Sequence, residues 1–456
     1  MSSEYETIRK LIMQSGLFDG EWYCSTYSDA VGSHLSPLDH FIKFGLLLDR
    51  DPGPAFSSAF HRHGYDPDKV ERDHPFLYHL RHPDAGIEKE LVLQAAMQVF
   101  LRGQHKLALS LARTYLPQHL AITVSAIEAN CAWLANDSAG WQAAINKYLV
   151  SNNLAEITLR PAETVLGQLC CPSTTPVHGG PLISVIMPVW NAQQTLEIAV
   201  NSILHQTWRE IEIIAVDDAS TDRSWTILEG IAARDKRLKP IRNSVNVGPY
   251  VSKNIGLLAT RGVYVTGHDA DDWAHPERLA RHMEMITARP EPLPVSMPYG
   301  LRMQPDGLFH HTRRAGEATS LDGWMQSTPI GTLFEAEFLK NRLGFWDSVR
   351  FGADTEILLR ARQILGKGPL EIPLMSMICL DAPHSLSNNS VHGTRAQHGG
   401  LSATRRAYLR SIRDWLIDNP AEHSAFLSFP QDRPRYAIPK EMRVSSADIR
   451  ANLKKL

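Results

Sequence analysis

Two apolar runs, each followed by an amphipathic helix, constrain the fold of this chain more than anything else in it. LISVIMPVW, residues 182–190, carries four β-branched residues and is short enough for a buried parallel strand; TLEIAVNSILHQTW then turns to helical periodicity near Thr195. EIEIIAVDDASTD, residues 210–222, is a second such strand, followed by a helix from about Ser224 to Arg234 and the basic run KRLKPIRN. Alternating strands and helices imply a parallel sheet with right-handed crossovers. Such sheets bind ligands beyond the carboxyl ends of their strands, where Asp217 and Asp218 stand.

A third β-rich entry, in GVYVTGHDADDW (residues 262–273), delivers Asp269, Asp271 and Asp272 onto a short segment ended by Pro276. Three carboxylates in four positions repel one another unless a cation sits among them, and a divalent ion carrying phosphate is the usual partner. Alone, the run also reads as a solvated acidic turn, or as a helix cap formed by Asp272. Because both acidic groups end strands of one sheet, they are expected to face one crevice.

Upstream, residues 18–82 repeat at a spacing of 38: Phe18 matches Phe56, Trp22 Phe60, Tyr27 Tyr65, Pro37 Pro75, Leu38 Phe76, Ile42 Leu80 and Lys43 Arg81. Fixed-offset recurrence of this kind marks one small helical unit used twice, with Trp22, Tyr23 and Tyr27 as core. Residues 87–159 are helical throughout and repeat faintly at 34, pairing Ala95 with Ala129, Val99 with Trp133 and Leu107 with Trp141, the period of tetratricopeptide-like units. CCPSTTPVHGGP, residues 170–181, reads as a linker. The expected organisation is an all-α repeat region (1–86 and 87–169), that linker, an α/β domain over 182–400, and a helix with a basic tail over 401–456.

At 456 residues, two or three domains are expected, and 47 basic against 49 acidic residues give no bias toward nucleic acid. Five scattered cysteines without a CxxC pattern argue for a reducing compartment and against a disulfide framework or zinc site. There is no signal-like apolar region at the N-terminus, and no apolar stretch reaches the roughly 20 residues of a membrane span. A cytoplasmic location is expected, with peripheral contact at the inner membrane face left open.

Residues 182–279, through ISVIMPVWNAQQTL, VDDASTD, NVGPYVSKNIGLLATRG and GHDADDWAHPERL, resemble the nucleotide-binding half of an inverting family 2 glycosyltransferase of the GT-A fold. The resemblance implies a mixed, mostly parallel sheet and a nucleoside-diphosphate sugar as donor. Asp217 and Asp218 would then contact the nucleoside, Asp269 the ribose and metal, and Asp271 the metal, Mn2+ or Mg2+. Pro188 belongs to the first donor motif. Asn246 and Gly248 let the backbone turn closely, and Lys253 is placed for a phosphate or carboxylate where the family usually has arginine; a solvent-facing or structural lysine is the other reading. The first aromatic repeat, FDGEWYCSTYSDAV, resembles modules found in front of bacterial polysaccharide glycosyltransferases.

An inverting transfer needs a base to take the acceptor's proton. In FWDSVRFGADTEILLRARQ, Asp354 keeps the slot of the family's base, although Ala353 replaces the acid expected before it, and Glu356 is the alternative. On the structural reading, Asp354 caps a helix and Glu356 pairs with Arg360 at i+4. His384 is a candidate third metal ligand in DAPHSLSNNSVHGTR, a segment resembling a loop that closes over the diphosphate, or else a plain loop histidine. Residues 291–333 are expected on the acceptor side, with Trp324, Met325 and STPIGTLF candidates to line the cleft, although a lone tryptophan in such a stretch is more often packing. The acceptor is expected to be a glycan or lipid-linked glycan, with a protein partner docking on the helical repeats. The competing reading is a catalytically silent, nucleotide-binding scaffold.

Overall fold

β1 (Ile183–Val189) and β2 (Ile211–Asp217) form where the two apolar runs stand, and every residue of β2 is buried, as both faces of a central parallel strand require. The computed structural model describes residues 3–66, 73–172, 174–290, 293–317, 319–383, 385–386, 388–389, 391–394, 401–431 and 433–454. It divides into two units: residues 1–148 with 309–325, and residues 149–308 with 326–456.

The first unit is built from helices. Gly20–Thr26 and Ser58–Gly64 begin 38 residues apart, and each is capped by a side chain one residue before it, Asp19 on the Trp22 N–H and Ser57 on the Phe60 N–H. Tyr27 and Tyr65 close them in the same way, each donating its N–H to the carbonyl four residues back. Pro37–His40 and Pro75–Arg81 keep the same offset, with proline in the first turn. Tyr23, Phe41, Phe56 and Phe76 are buried in one cluster, against which the half-buried Trp22 and Tyr27 pack. Four longer helices follow, Val92–Leu101, His105–Tyr115, Ser125–Leu134 and Ser138–Ser151, two pairs at nearly the expected period.

Residues 309–325 complete this unit. The Asn130 side chain accepts from the Phe309 N–H at 2.7 Å and donates to its carbonyl at 2.9 Å, and the Tyr148 hydroxyl donates to Asp322 at 2.6 Å. Trp324 is fully buried, 4.4 Å from the Tyr148 ring and 5.2 Å from Phe309. Of the two roles open to Trp324 and Met325, packing holds and cleft lining does not: both are core of the helical unit. Nothing in the local pattern of STPIGTLF or its flanks signals packing partners more than 170 residues away.

The second unit holds a nine-stranded sheet. Its further strands are β3 (Leu238–Arg242), β4 (Tyr264–Gly267), β5 (Trp273–Ala274), β6 (Val295–Met303), β7 (Gln326–Ser327), β8 (Leu333–Glu335) and β9 (Leu370–Leu380). They run in the order β3-β2-β1-β4-β8-β6-β9-β5, with β7 on β6. β3, β2, β1 and β4 are mutually parallel, β8 is antiparallel to both its neighbours, and β9 is again parallel to β6. The sheet is thus mixed, with a parallel half carrying the acidic strand ends.

Two boundaries differ from the expected ones. The 170–181 stretch is no free linker: Leu169–Cys170 pairs with Thr158–Leu159, Val177 bridges to Trp208, and the Trp208 indole donates to the Pro181 carbonyl. The 401–456 segment is no detached tail. Tyr408 and Ile412 of the Ala403–Asp418 helix, with Ile438 and Met442, join the buried cluster around Trp346 and Ile357, and Ile449 packs with Val247, Val251 and Ile255. In the C-terminal segment the anchoring apolar residues, Ile438, Met442 and Ile449, are spaced too widely for a periodic pattern, and basic residues stand between them. Among the described residues, no helix is long and apolar enough to cross a membrane.

Candidate active site

Strand register brings the two acidic groups together. Val189 and Asp217 are neighbours across β1 and β2, the Asp218 N–H bonds the Val189 carbonyl at 2.7 Å, and the His268 N–H bonds the Ile186 carbonyl at 3.1 Å. Asp217–Asp218 and Asp269–Asp272 therefore leave the same edge of the sheet on either side of β1. The loop after β1 is tied to both: Asn191 and Ala192 donate their N–H groups to Ser220 and Ser224, and the Thr195 hydroxyl donates to the Ala270 carbonyl at 2.9 Å. Pro188 stands half-buried near the end of β1, and Trp190, 60% exposed, projects just beyond it.

The adjacent aspartates part company. Asp218 is enclosed by the chain's own donors: the Asn243 amide at 2.8 Å, the Gly248 N–H at 2.7 Å, and the Val247 N–H shared between both oxygens. Burial raises its pKa, and these bonds oppose the rise. Its carboxylate shapes the Asn246–Gly248 turn. Gly248 has φ +81°, a conformation that side chains rarely adopt, and Asn246 is held between the Asp218 carbonyl and the Arg350 guanidinium. Asp217 is fully buried with Arg242 at 3.3 Å, and its Oδ1 has no hydrogen-bond partner. Arg242, with Ala219, Ser220, Asn243 and Ser244, lines a cavity of about 350 Å³.

Across β1, Asp269 and Asp271 are half-buried. Burial raises the pKa of both; the charge of Asp269 adds to the rise at Asp271, which reaches about 7, while Lys253 and Arg302 act against the rise at Asp269. Among the described residues, no group of three or more His, Cys, Asp or Glu side chains is arranged to hold a metal. Carboxylate oxygens are the donor type that suits Mg2+ or Mn2+, and Asp269 and Asp271 would supply two of them. His384 lies outside the described residues. Asp272 turns away: it is buried and accepts the Leu380 N–H of β9 at 3.0 Å. It caps no helix, since β5 intervenes and the next helix starts at Arg278.

Asp354 opens the Ala353–Leu365 helix without capping it, and 24% of its side chain remains exposed. One oxygen accepts from the Lys253 ammonium at 2.8 Å and the other from the Tyr250 hydroxyl at 3.0 Å. Lys253 is itself buried, 4.7 Å from the Tyr250 ring and 5.8 Å from that of Trp346. It is therefore neither solvent-facing nor on its own; it connects the Pro249–Ala259 helix to the expected base. Sequence reasoning missed Tyr250, although three residues before Lys253 on a helix is the spacing at which side chains meet. It also missed Arg302 at the end of β6 and Arg405, whose charges act on Asp269 and on Asp354 and Tyr250.

Glu356 is not part of this group. It is fully buried in an ion pair with Arg360, accepts the Tyr436 hydroxyl at 3.0 Å, and receives the Asp347 N–H at 3.4 Å. Arg360 spends its remaining donors on the carbonyls of Leu343, Phe345 and Ala425. The alternative catalytic assignment to Glu356 is therefore corrected to a structural one.

With this geometry in hand, residues 184–332 match the model of the family described as glycosyl transferase family 2. An uncharacterized glycosyltransferase of Haemophilus influenzae is 41% identical over 106 residues, 23% of this chain and 42% of that protein. TuaG of Bacillus subtilis, a candidate teichuronic acid biosynthesis glycosyltransferase, is 32% identical over 153 residues, 34% of this chain and 60% of its own length. The chain thus spans about half the length of these curated relatives. Among solved structures, S. aureus TarS 1-349 in complex with UDP aligns over 44% of this chain and 61% of that one, at 20% identity and a TM-score of 0.36. Over residues 184–332, then, this chain is similar to glycosyl transferase family 2.

Proposed function

We propose that this protein is an inverting, metal-dependent glycosyltransferase that moves a sugar from a UDP-sugar to a glycan or lipid-linked glycan acceptor in bacterial polysaccharide or surface glycan synthesis. The observation that carries the reading is the convergence of Asp354, fixed by Lys253 and Tyr250, with the Asp269–Asp271 pair within electrostatic reach of each other. The name of TuaG, which places that relative in teichuronic acid biosynthesis, supports the pathway class.

In this reading, Asp269 and Asp271 hold Mn2+ or Mg2+, which offsets the negative charge that grows on the departing diphosphate. The nucleoside occupies the cavity lined by Arg242, which pairs with Asp217 at 3.3 Å. Asp354, with both oxygens oriented by fixed donors, takes the proton of the acceptor hydroxyl as that oxygen attacks the anomeric carbon. The bond to the diphosphate breaks in the same displacement, so the anomeric configuration inverts and no covalent enzyme intermediate forms. The helical unit is the docking module for a protein partner. Arg406, Arg410 and Arg413, exposed along the Ala403–Asp418 helix, support peripheral contact with an anionic membrane.

The test is donor turnover by purified protein with Mn2+ and UDP-, GDP- or TDP-sugars, with product configuration read by NMR. Asp271→Ala should abolish turnover, and Asp354→Asn should lower it about 10²- to 10⁴-fold while UDP still binds. Absence of turnover with every donor, or turnover within tenfold of wild type for Asp354→Asn, overturns the reading.

A further inference from the structure

The Asn246–Gly248 turn that encloses Asp218 is held from outside by a segment far along the chain. Asn452, 4% exposed on the Ser446–Leu453 helix, accepts the N–H groups of Ser244 at 2.7 Å and Val245 at 3.2 Å on one oxygen, and its amide donates back to the Val245 carbonyl at 2.9 Å. This satisfies two donors and one acceptor of a non-strand backbone much as a neighbouring strand would. Ile449, one turn earlier on the same helix, is buried against Val247 and Val251. A second attachment lies nearby: the Arg350 N–H bonds the Met442 carbonyl at 2.9 Å, while its guanidinium holds Asn246. Ser244, the residue Asn452 grips most closely, also lines the cavity that Arg242, the ion-pair partner of Asp217, lines.

We propose that the 438–453 segment is a strap that sets the donor pocket, with Asn452 as the positioning residue that fixes the 244–248 backbone. The proposal rests on the reading of the cavity lined by Arg242, Asn243 and Ser244 as the nucleoside site. Asn452 touches no reacting group; it acts through Ser244 and Val245 on the N–H groups that Asp218 binds. Its loss is therefore expected to loosen donor binding and leave the chemistry at Asp354 alone.

The test compares full-length wild type with Asn452→Ala and with Asn452→Asp, which keeps the acceptor oxygen for both N–H groups. Amide hydrogen exchange in the ligand-free protein comes first. In Asn452→Ala, protection at Val247 and Gly248, which Asn452 does not touch, should fall about tenfold along with that at Ser244 and Val245. In parallel, UDP affinity with Mn2+ and the KM for the donor should weaken about tenfold, with kcat within twofold, and Asn452→Asp should recover most of the loss. A merely structural residue would instead lower the unfolding temperature at unchanged KM, and that result overturns the proposal. So does unchanged exchange at Val247 and Gly248, whichever ligand binds. If wild type binds neither UDP, GDP nor TDP while exchange responds as expected, the nucleoside reading of the cavity fails and the strap stands as a loop-positioning device alone.

Discussion

Glu356→Gln distinguishes a structural carboxylate from a catalytic one. The substitution keeps the shape of the side chain and removes its charge, leaving the Arg360 guanidinium fully buried with three carbonyl partners and no counter-charge. Breaking a buried pair by removing one partner costs about 3–5 kcal/mol, because the remaining charge stays desolvated. In a unit of this size, 1 kcal/mol corresponds to roughly 2–4 °C, so the unfolding temperature should fall by about 10 °C. The Tyr436 hydroxyl loses its carboxylate acceptor as well, which works in the same direction. The assay is thermal unfolding followed by circular dichroism, paired with donor turnover per folded molecule measured well below the transition. In a double-mutant cycle with Arg360→Met, the two costs should fall short of additive by about 1–3 kcal/mol, since the second change removes the stranded charge. An unfolding temperature within about 2 °C of wild type, together with a hundredfold or greater loss of turnover, would refute the reasoning and return Glu356 to the chemistry.

Other outcomes follow from the helical unit and from the exposed arginines. His61 and His74 are both held near pKa 4 by burial, so folding keeps them neutral; the stability they contribute is full above the unfolded value of about 6.5 and declines as pH falls toward 4, by at most about 3 kcal/mol each. Urea unfolding at a series of pH values checks this, and His61→Phe should remove close to one proton from the slope; an unchanged slope contradicts it. Trp324→Ala should destabilise the helical unit by about 3–5 kcal/mol, and residues 1–148 expressed without 309–325 should bind a hydrophobic dye, whereas a native-like melt of that fragment would mean the segment is dispensable. Reversing Arg406, Arg410 and Arg413 to glutamate should abolish cosedimentation with vesicles containing phosphatidylserine and leave turnover of a soluble acceptor unchanged; equal sedimentation of the variant removes the membrane proposal.

How much was legible depended on whether the cause of a feature is local. The parallel strands were, because a run such as IEIIAV carries its burial in its own composition, and the helix at Ser224–Arg234 begins and ends where its periodicity does. So were the two acidic strand ends, since strand order alone sets them on one edge. What Asp218 does was not legible: its partners come from a turn nearly 30 residues on, and neighbouring Asp217 and Asp218 look alike until the backbone N–H groups are placed. Nor was the role of 309–325, whose fixed points are Asn130 and Tyr148.

The Ala353–Leu365 helix shows that the missing information is sometimes present and misread. Its buried positions are Ala353, Glu356, Ile357, Arg360 and Ala361, an i, i+3, i+4, i+7, i+8 stripe in which a glutamate and an arginine stand one turn apart among apolar residues. Two charges of opposite sign at i and i+4 on the apolar face of a helix can be buried only as a pair, so the stripe itself assigns Glu356 to Arg360. Asp354 stands about a quarter turn from the centre of the stripe, just beyond its edge, and it is the carboxylate left partly exposed with Lys253 and Tyr250 on it. The sequence thus carries the Glu356–Arg360 pair as one of two readings, and the structure decides for it while supplying the partners of Asp354.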